Sequence, residues 1–555
     1  MGARKRTDRW LWIVGILGLV LYFVFSWKDM FAAQEWKMIS REEAVELAKQ
    51  SWTEAGVNVE QMKSSAVMQS AESVDGYLGK EDLRDSFAAS APQEAPITYW
   101  HVTFYPQELS ERDIRYETNH DLVTGKVVGY ERVEPTDVII SKEEALQKAQ
   151  AALIKLGVDL KALAGVVEED LYDLEGEFEF ESLSQTGVRL LSSGSEYRFS
   201  WKAKEFEVGE LSLYYHVTVE GEHASLVESS YYVPASFDTW HSKQKLYAGI
   251  LTGVSALFSF LLLVCAFVFL FLIKQKRPYW SSLWLSLIVT AFFAFSNINQ
   301  WPILEAQTLQ GGGGLFGVMI FGAIAIAVVV FISILFGAGN YVLTLTGGML
   351  TREVDHNLWM SFKDPEWSER MRLATKRGFL LAFAWLGFQG VFYFVGETFF
   401  GVWYENDLSM SPANMWVPAL FPLMAWLAGI QEEITYRLFG VTFLKRYVKY
   451  AFIATLLPAM IWALGHTLYP IYPIYTRFIE LTIFGVIIGY CFLRYGLETV
   501  IMAHVVFDTI LMCIPLLLSG EAVQVASGIF FLILPLLVGY GLSLIKRRKE
   551  QFDFV

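Results

Sequence analysis

The sequence of 555 residues predicts a multi-span α-helical membrane protein, with about ten transmembrane helices and an inserted α+β extracytoplasmic domain. Three observations lead there. The chain is 54% hydrophobic and only 18% charged, with a mean hydropathy of +0.36, too apolar for a soluble enzyme of two domains. Apolar runs long enough to cross a ~30 Å hydrocarbon core recur along it. Between the first and second of these runs, residues 28–245 are polar and acidic, with strand-like alternation at Tyr99–Phe104 and Tyr214–Val219. The net charge of -14 argues against a nucleic acid partner, which requires a basic face. Cys265, Cys491 and Cys513 all fall in apolar stretches and form no CxxC, so neither a disulfide framework nor a thiolate zinc site is expected.

Residues 1–27 form a cytoplasmic tip and signal anchor. Arg4, Lys5, Arg6 and Arg9 precede an apolar run from Trp10 to Trp27, and no A-x-A cleavage site follows, so retention is expected. The polar region divides into two copies of one module, 28–138 and 139–245. Ile39-Ser-Arg-Glu-Glu-Ala44, with Ala48 and Gly56, recurs 101 positions later as Ile140-Ser-Lys-Glu-Glu-Ala145, with Ala149 and Gly157. In each copy a serine, Ser40 or Ser141, opens a capping box with the glutamate three positions on, and a helix runs to the glycine. Strands then follow, ending in a turn at Asp121–Val127. A helix followed by strands and such a turn resembles PepSY-type modules, which occur outside the membrane beside peptidases.

Nine further apolar segments are centred near residues 260, 289, 328, 389, 428, 459, 484, 507 and 535. Residues 246–376 hold spans 2–4 and a cytoplasmic loop, and 377–555 hold spans 5–10 and a basic tail. With the N-terminus inside, the cytoplasmic connections are Lys274–Arg277, Arg352–Arg377, Lys445–Lys449, Arg494 and Lys546–Lys549, all basic; the outward loops contain no Lys or Arg. Both termini are thereby expected in the cytoplasm and residues 28–245 outside it, in a bacterial plasma membrane.

Ionisable groups inside a bilayer are costly, so function is sought among them. Glu432, Glu433 and Arg437 lie in one apolar span, His466 in a second, and His504 with Asp508 in a third. On an α-helix Glu433 and Arg437 share a face and can pair, which leaves Glu432 free; His504 and Asp508 are likewise one turn apart. A desolvated glutamate can act as general base on a water, while imidazoles orient that water or stabilise an oxyanion. Any one of these groups alone is better read as glue between helices; three clusters on three nearby spans favour hydrolysis of a peptide bond. Glu397 and Glu480 read as structural. Straight helices put His504 about 10 Å and His466 about 24 Å from the cytoplasmic ends of their spans, a stagger that tilt or a kink at Pro458 has to close.

Glu432-Glu433-x-x-x-Arg437, aromatic-x-x-x-His466 at Trp462, and His504-x-x-x-Asp508, in that order over 77 residues, resemble the three signatures of the CPBP family of intramembrane endopeptidases, the CAAX-processing and bacteriocin-processing (Abi) proteases. The likeness covers residues 377–546. It implies that Glu432 and His466 activate the hydrolytic water, that Glu433 and Arg437 support them, and that His504 with Asp508 binds the oxyanion. Trp462 stands where phenylalanine is usual, in a bulky apolar role, and Asp508 where asparagine is common. An ionised Asp508 would repel an oxyanion, so it is either protonated or orients His504.

The expected function is therefore an intramembrane endopeptidase acting on a membrane-associated protein or peptide, with the lipid bilayer as its medium. The alternative is a catalytically silent scaffold or receptor that binds ligand through the outer modules; a transporter would need inverted repeats or broken spans, which are not evident. No His-Glu-x-x-His is present, yet Glu432, His466 and His504 are candidate zinc ligands if a metal is used; the family resemblance implies a metal-free glutamate mechanism more firmly than a metallo one. The sequence leaves the oligomeric state open.

Overall fold

The computed structural model describes residues 2–32, 38–107, 114–164, 167–168, 196–275, 277–312, 314–360 and 365–552. Lys276 and the acidic stretch 169–195 of the second module lie outside the described residues, as do the side chains of the Arg4–Arg6 and Lys546–Lys549 clusters.

After helix α1 (Gly2–Ala32), the capping boxes set the pattern of the polar region. Ser40 accepts from the Glu43 amide at 3.1 Å and starts α2 (Arg41–Glu54), whose Ala44, Ala48 and Trp52 recur every four residues and are buried together. This helix packs on β1 (Lys63–Ser70), β2 (Thr98–Tyr105), β3 (Arg115–Asp121) and β4 (Val127–Val133), burying Trp100, Val102 and Phe104. Two short helices, α3 (Glu72–Lys80) and α4 (Arg84–Ser90), are inserted between β1 and β2.

The second copy repeats this order. Ser141 caps α5 (Lys142–Leu156), Gly157 ends it at φ 96°, and β5 (Val167–Glu168), β6 (Glu196–Lys202), β7 (Ser212–Glu220) and β8 (His223–Tyr232) follow. All eight strands form one antiparallel sheet in the order β1-β2-β3-β4-β8-β7-β6-β5. The last strands of the two copies pair with each other, Tyr130 opposite Val227 and Glu131 opposite Leu226. The tandem repeat has become a single sheet with approximate two-fold symmetry.

The remaining chain is helical: α6 (Ala235–Leu272), α7 (Tyr279–Ile298), α8 (Trp301–Gln310), α9 (Gly314–Val354), α10 (Trp367–Phe400), α11 (Leu423–Glu432), α12 (Thr442–Tyr447), α13 (Ala451–Leu464), α14 (Tyr475–Tyr495), α15 (Leu497–Leu518) and α16 (Ala522–Phe552). Among the described residues eight helical segments are long and apolar enough to cross a membrane, including one in α1 and one that runs through α7 and α8. The protein is thus an integral membrane protein with an inserted α+β domain. The other two expected spans are of a different kind. One is the helix 423–447, interrupted by a π-helical segment, Glu433–Val441; the other is α13, only 14 residues long. The first carries Glu432, Glu433 and Arg437 and the second leads into His466, while His504 and Asp508 lie on the long span α15.

Much of the expected cytoplasmic loop 351–377 proves to be the end of α9 and the beginning of α10, with Trp367 donating to the Leu542 carbonyl on α16. Glycines let the helices around the polar clusters approach closely. A Cβ at Gly18 would collide with the backbone of α10 at Phe383 and Ala384, and one at Gly429 would lie 2.9 Å from the Val505 amide nitrogen, which brings α11 against α15.

Candidate active site

The first component is a helix that changes period. Glu432 is the last residue of α11, and the π-helical turn begins at Glu433, where the sequence spacing implies an uninterrupted α-helix. All nine residues of the π segment are buried, and its Gly440 faces Pro458 of α13. Single π turns of this kind recur at functional sites because they re-aim side chains within a packed helix. The pairing expected from the sequence survives the change: Arg437 Nη1 donates to Glu433 Oε1 at 2.9 Å, with the carboxylate fully buried and the guanidinium 1% exposed.

His504 is the second component. From α15 its Nδ1–H donates to the same Glu433 oxygen at 2.8 Å, so one carboxylate oxygen holds both the guanidinium and the imidazole. The other ring nitrogen, Nε2, lies 3.4 Å from Asp508 Oδ2 and 3.9 Å from Glu432 Oε2. Asp508 therefore flanks the free edge of the imidazole, and the geometry matches an orienting role toward His504.

His466 follows the end of α13, in the turn after Leu464. The Trp462 carbonyl, which can only accept, lies 2.9 Å from His466 Nδ1 and so fixes the proton there, leaving Nε2 with a lone pair in the neutral ring. That Nε2 is 3.8 Å from Glu432 Oε1. The stagger expected from straight spans is bridged by the Glu432 carboxylate, which presents one oxygen to His466 and the other to His504.

Trp462 has a larger part than the sequence suggests. Its indole Nε1–H donates to Glu432 Oε2, its carbonyl holds His466, and its ring lies edge-on to His504 with Arg437 4.5 Å from its centroid. The expectation of a merely bulky apolar residue is corrected, because the polar N–H is used. A second network lies beside it. Glu480, which reads as structural in the sequence, is 1% exposed and accepts from Arg477 and from Tyr393, each at 2.6 Å; Arg477 in turn lies 5.0 Å from the ring of Tyr469, which stacks on His466. The only signal for it in the sequence is the Arg477–Glu480 spacing of three.

The two imidazole nitrogens address different oxygens of Glu432 at 3.8 and 3.9 Å, wider than the ~3.3 Å edge of a tetrahedral zinc shell with ligands near 2.0 Å. Among the described residues no three His, Cys, Asp or Glu side chains converge as a ligand set. As arranged, Glu432, His466 and His504 do not fit a bound zinc ion.

This is a helical membrane protein in which buried and partly buried carboxylates and imidazoles converge from two neighbouring helices and the turn that ends a third. Comparison with known proteins adds a direction: residues 414–510, which contain all six candidate residues, match the family model of the Rce1-like type II CAAX prenyl endopeptidases. A stretch of 93 residues is 29% identical to the sporulation-killing factor biosynthesis protein SkfC of Bacillus subtilis (strain 168), covering 17% of this chain and 19% of that protein. The chain thus spans about a fifth of the length of that curated relative. No solved structure matches.

Proposed function

We propose that the protein is an intramembrane endopeptidase of the CPBP type that hydrolyses peptide bonds in membrane-associated proteins or peptides by a glutamate-activated water. The observation that carries this reading is the 3.8 Å gap between Glu432 Oε1 and His466 Nε2. Both atoms are acceptors there, so a water about 2.8 Å from each donates one hydrogen to each and turns its lone pair toward a carbonyl carbon. As the bond to carbon forms, the proton passes to Glu432, which then delivers it to the leaving amine. His504 Nε2–H, held in place by Glu433 and Asp508, faces the developing oxyanion. Arg437 keeps Glu433 ionised and fixed. The match to the CAAX prenyl endopeptidase model supports the reaction class, and the outer modules resemble PepSY units found beside peptidases.

The orientation belongs to the same reading. Arg277, Arg352, Lys445 and Arg494 all stand at or near helix ends opposite the sheet domain, an asymmetry that supports reading that domain as extracytoplasmic.

The test is cleavage of membrane-protein reporters by purified wild type and Glu432→Gln in detergent, with and without chelator. Glu432→Gln should be inactive at an unchanged thermal midpoint, and wild type should ignore chelator. Equal turnover by the two proteins removes the mechanism.

A further inference from the structure

The helices that bear the candidate site can be measured from their ends. Glu432 lies nine residues into α11, about 14 Å from the end reached from the loop 401–422, whereas 15 residues, about 22 Å, separate it from Tyr447 at the other end of that helix. His466 stands two residues past the end of α13, and Asp508 is at mid-helix, ten residues or about 15 Å before the end of α15 and eleven after its start. All three distances are to the same end of the bundle, the one that carries the sheet domain.

The loops at that end are tied to the domain. Asn414 gives both sides of its amide to the edge strand β1, accepting from Met68 N at 2.7 Å and donating to Met68 O at 2.9 Å. Arg41 of α2 donates to the Ala413 and Met415 carbonyls, and Asp75 of α3 accepts from the Asn406 amide at 2.7 Å. The loop beyond His466 joins the same assembly through two short strands, β9 (Trp403–Tyr404) and β10 (Ile471–Tyr472), and Glu405 receives Tyr472 at 3.0 Å while lying 3.0 Å from His241.

Exposure follows the same polarity. Glu432, His466 and Asp508 have side chains 17%, 18% and 19% exposed, while Glu433, Arg437 and His504 are sealed at 0%, 1% and 5%. The reactive rim is open and its supports are not, with Leu468 and Tyr469 exposed in the turn beside it.

We infer that the scissile segment reaches Glu432 and His466 from the face of the membrane that carries the eight-stranded sheet. The substrate class is then a peptide segment presented on that face, at or just within the lipid, and a tail offered from the opposite face is excluded. This rests on the hydrolytic reading above.

Two measurements on the full chain in proteoliposomes test it, with the domain's side fixed by its sensitivity to added protease. In Asp508→Cys, checked by thermal shift, a small membrane-impermeant thiol reagent added at the domain side should label at a rate at least an order of magnitude above that from the other side. Leu468→Cys and Tyr450→Cys mark the two faces, and the parent chain measures the background from its own cysteines. Labelling of Asp508→Cys only from the face marked by Tyr450, or from neither face, overturns the inference. In the second arm a single-span reporter carries its cleavable segment on one face or the other; wild type should cut only the domain-side version, and cutting of the opposite version alone overturns the inference. Domain-side labelling with neither reporter cut would instead keep the route and count against the protease reading.

Discussion

At the scale of single residues, one side chain organises the candidate site. Trp462 holds Glu432 through its indole N–H and His466 through its carbonyl, so the two groups that share the proposed water are aligned by the same residue. Trp462→Phe keeps the aromatic bulk and the carbonyl but deletes the N–H. Its kcat should fall by about 10–100-fold with little change in KM, as for other partners that orient reactive groups. Unchanged kcat would show that Glu432 needs no such donor. Glu433 makes a contrasting case. Replacing it by alanine leaves Arg437 and His504 buried without their common carboxylate, a loss of roughly 3–5 kcal/mol. Thermal unfolding in detergent should register this as a much lower midpoint, and a midpoint equal to wild type would mean that those charges find other partners. The six ionisable positions were legible in the sequence because an ionisable group inside an apolar span stands out. The Trp462 donor was not, since an aromatic residue in an apolar helix is read by its volume.

Among secondary-structure elements, local signals carried far and non-local ones did not. The Ser40 and Ser141 caps, the four-residue spacing of buried alanines and Gly157 all reported their helices directly. The pairing of β4 with β8 joins strands nearly a hundred residues apart, and only side-chain packing and backbone register decide it. The π turn at Glu433–Val441 was equally hidden, because its sequence has ordinary helical character and the extra residue per turn is imposed by packing against α9, α13 and α15. Helix α1 packs on α10 with Gly18 against Gly387. Gly18→Leu should wedge the pair apart, at a cost of about 1–3 kcal/mol seen as a reduced thermal midpoint. A variant as stable as wild type would mean that α1 can shift along α10 without loss.

For the molecule as a whole, the sheet domain and the loop that leads into α11 form one mechanical unit. Asn414→Ala removes two hydrogen bonds to β1, each worth roughly 1 kcal/mol, so the loop should open more often. Hydrogen exchange across residues 405–417 should accelerate severalfold while α13 and α15 keep their protection. If the loop exchanges at the wild-type rate, the remaining contacts of Arg41 and Asp75 suffice to hold it.

The junction of β4 with β8 also bears on how this domain can be altered. Although each copy contributes a capped helix and, among the described residues, four strands, the seam between them lies in mid-sheet. A truncation at the repeat boundary would strip β4 of its neighbour and present a row of unpaired backbone groups, an adhesive margin that invites aggregation or pairing between chains. A cut at the repeat boundary therefore divides a sheet and does not separate two closed domains.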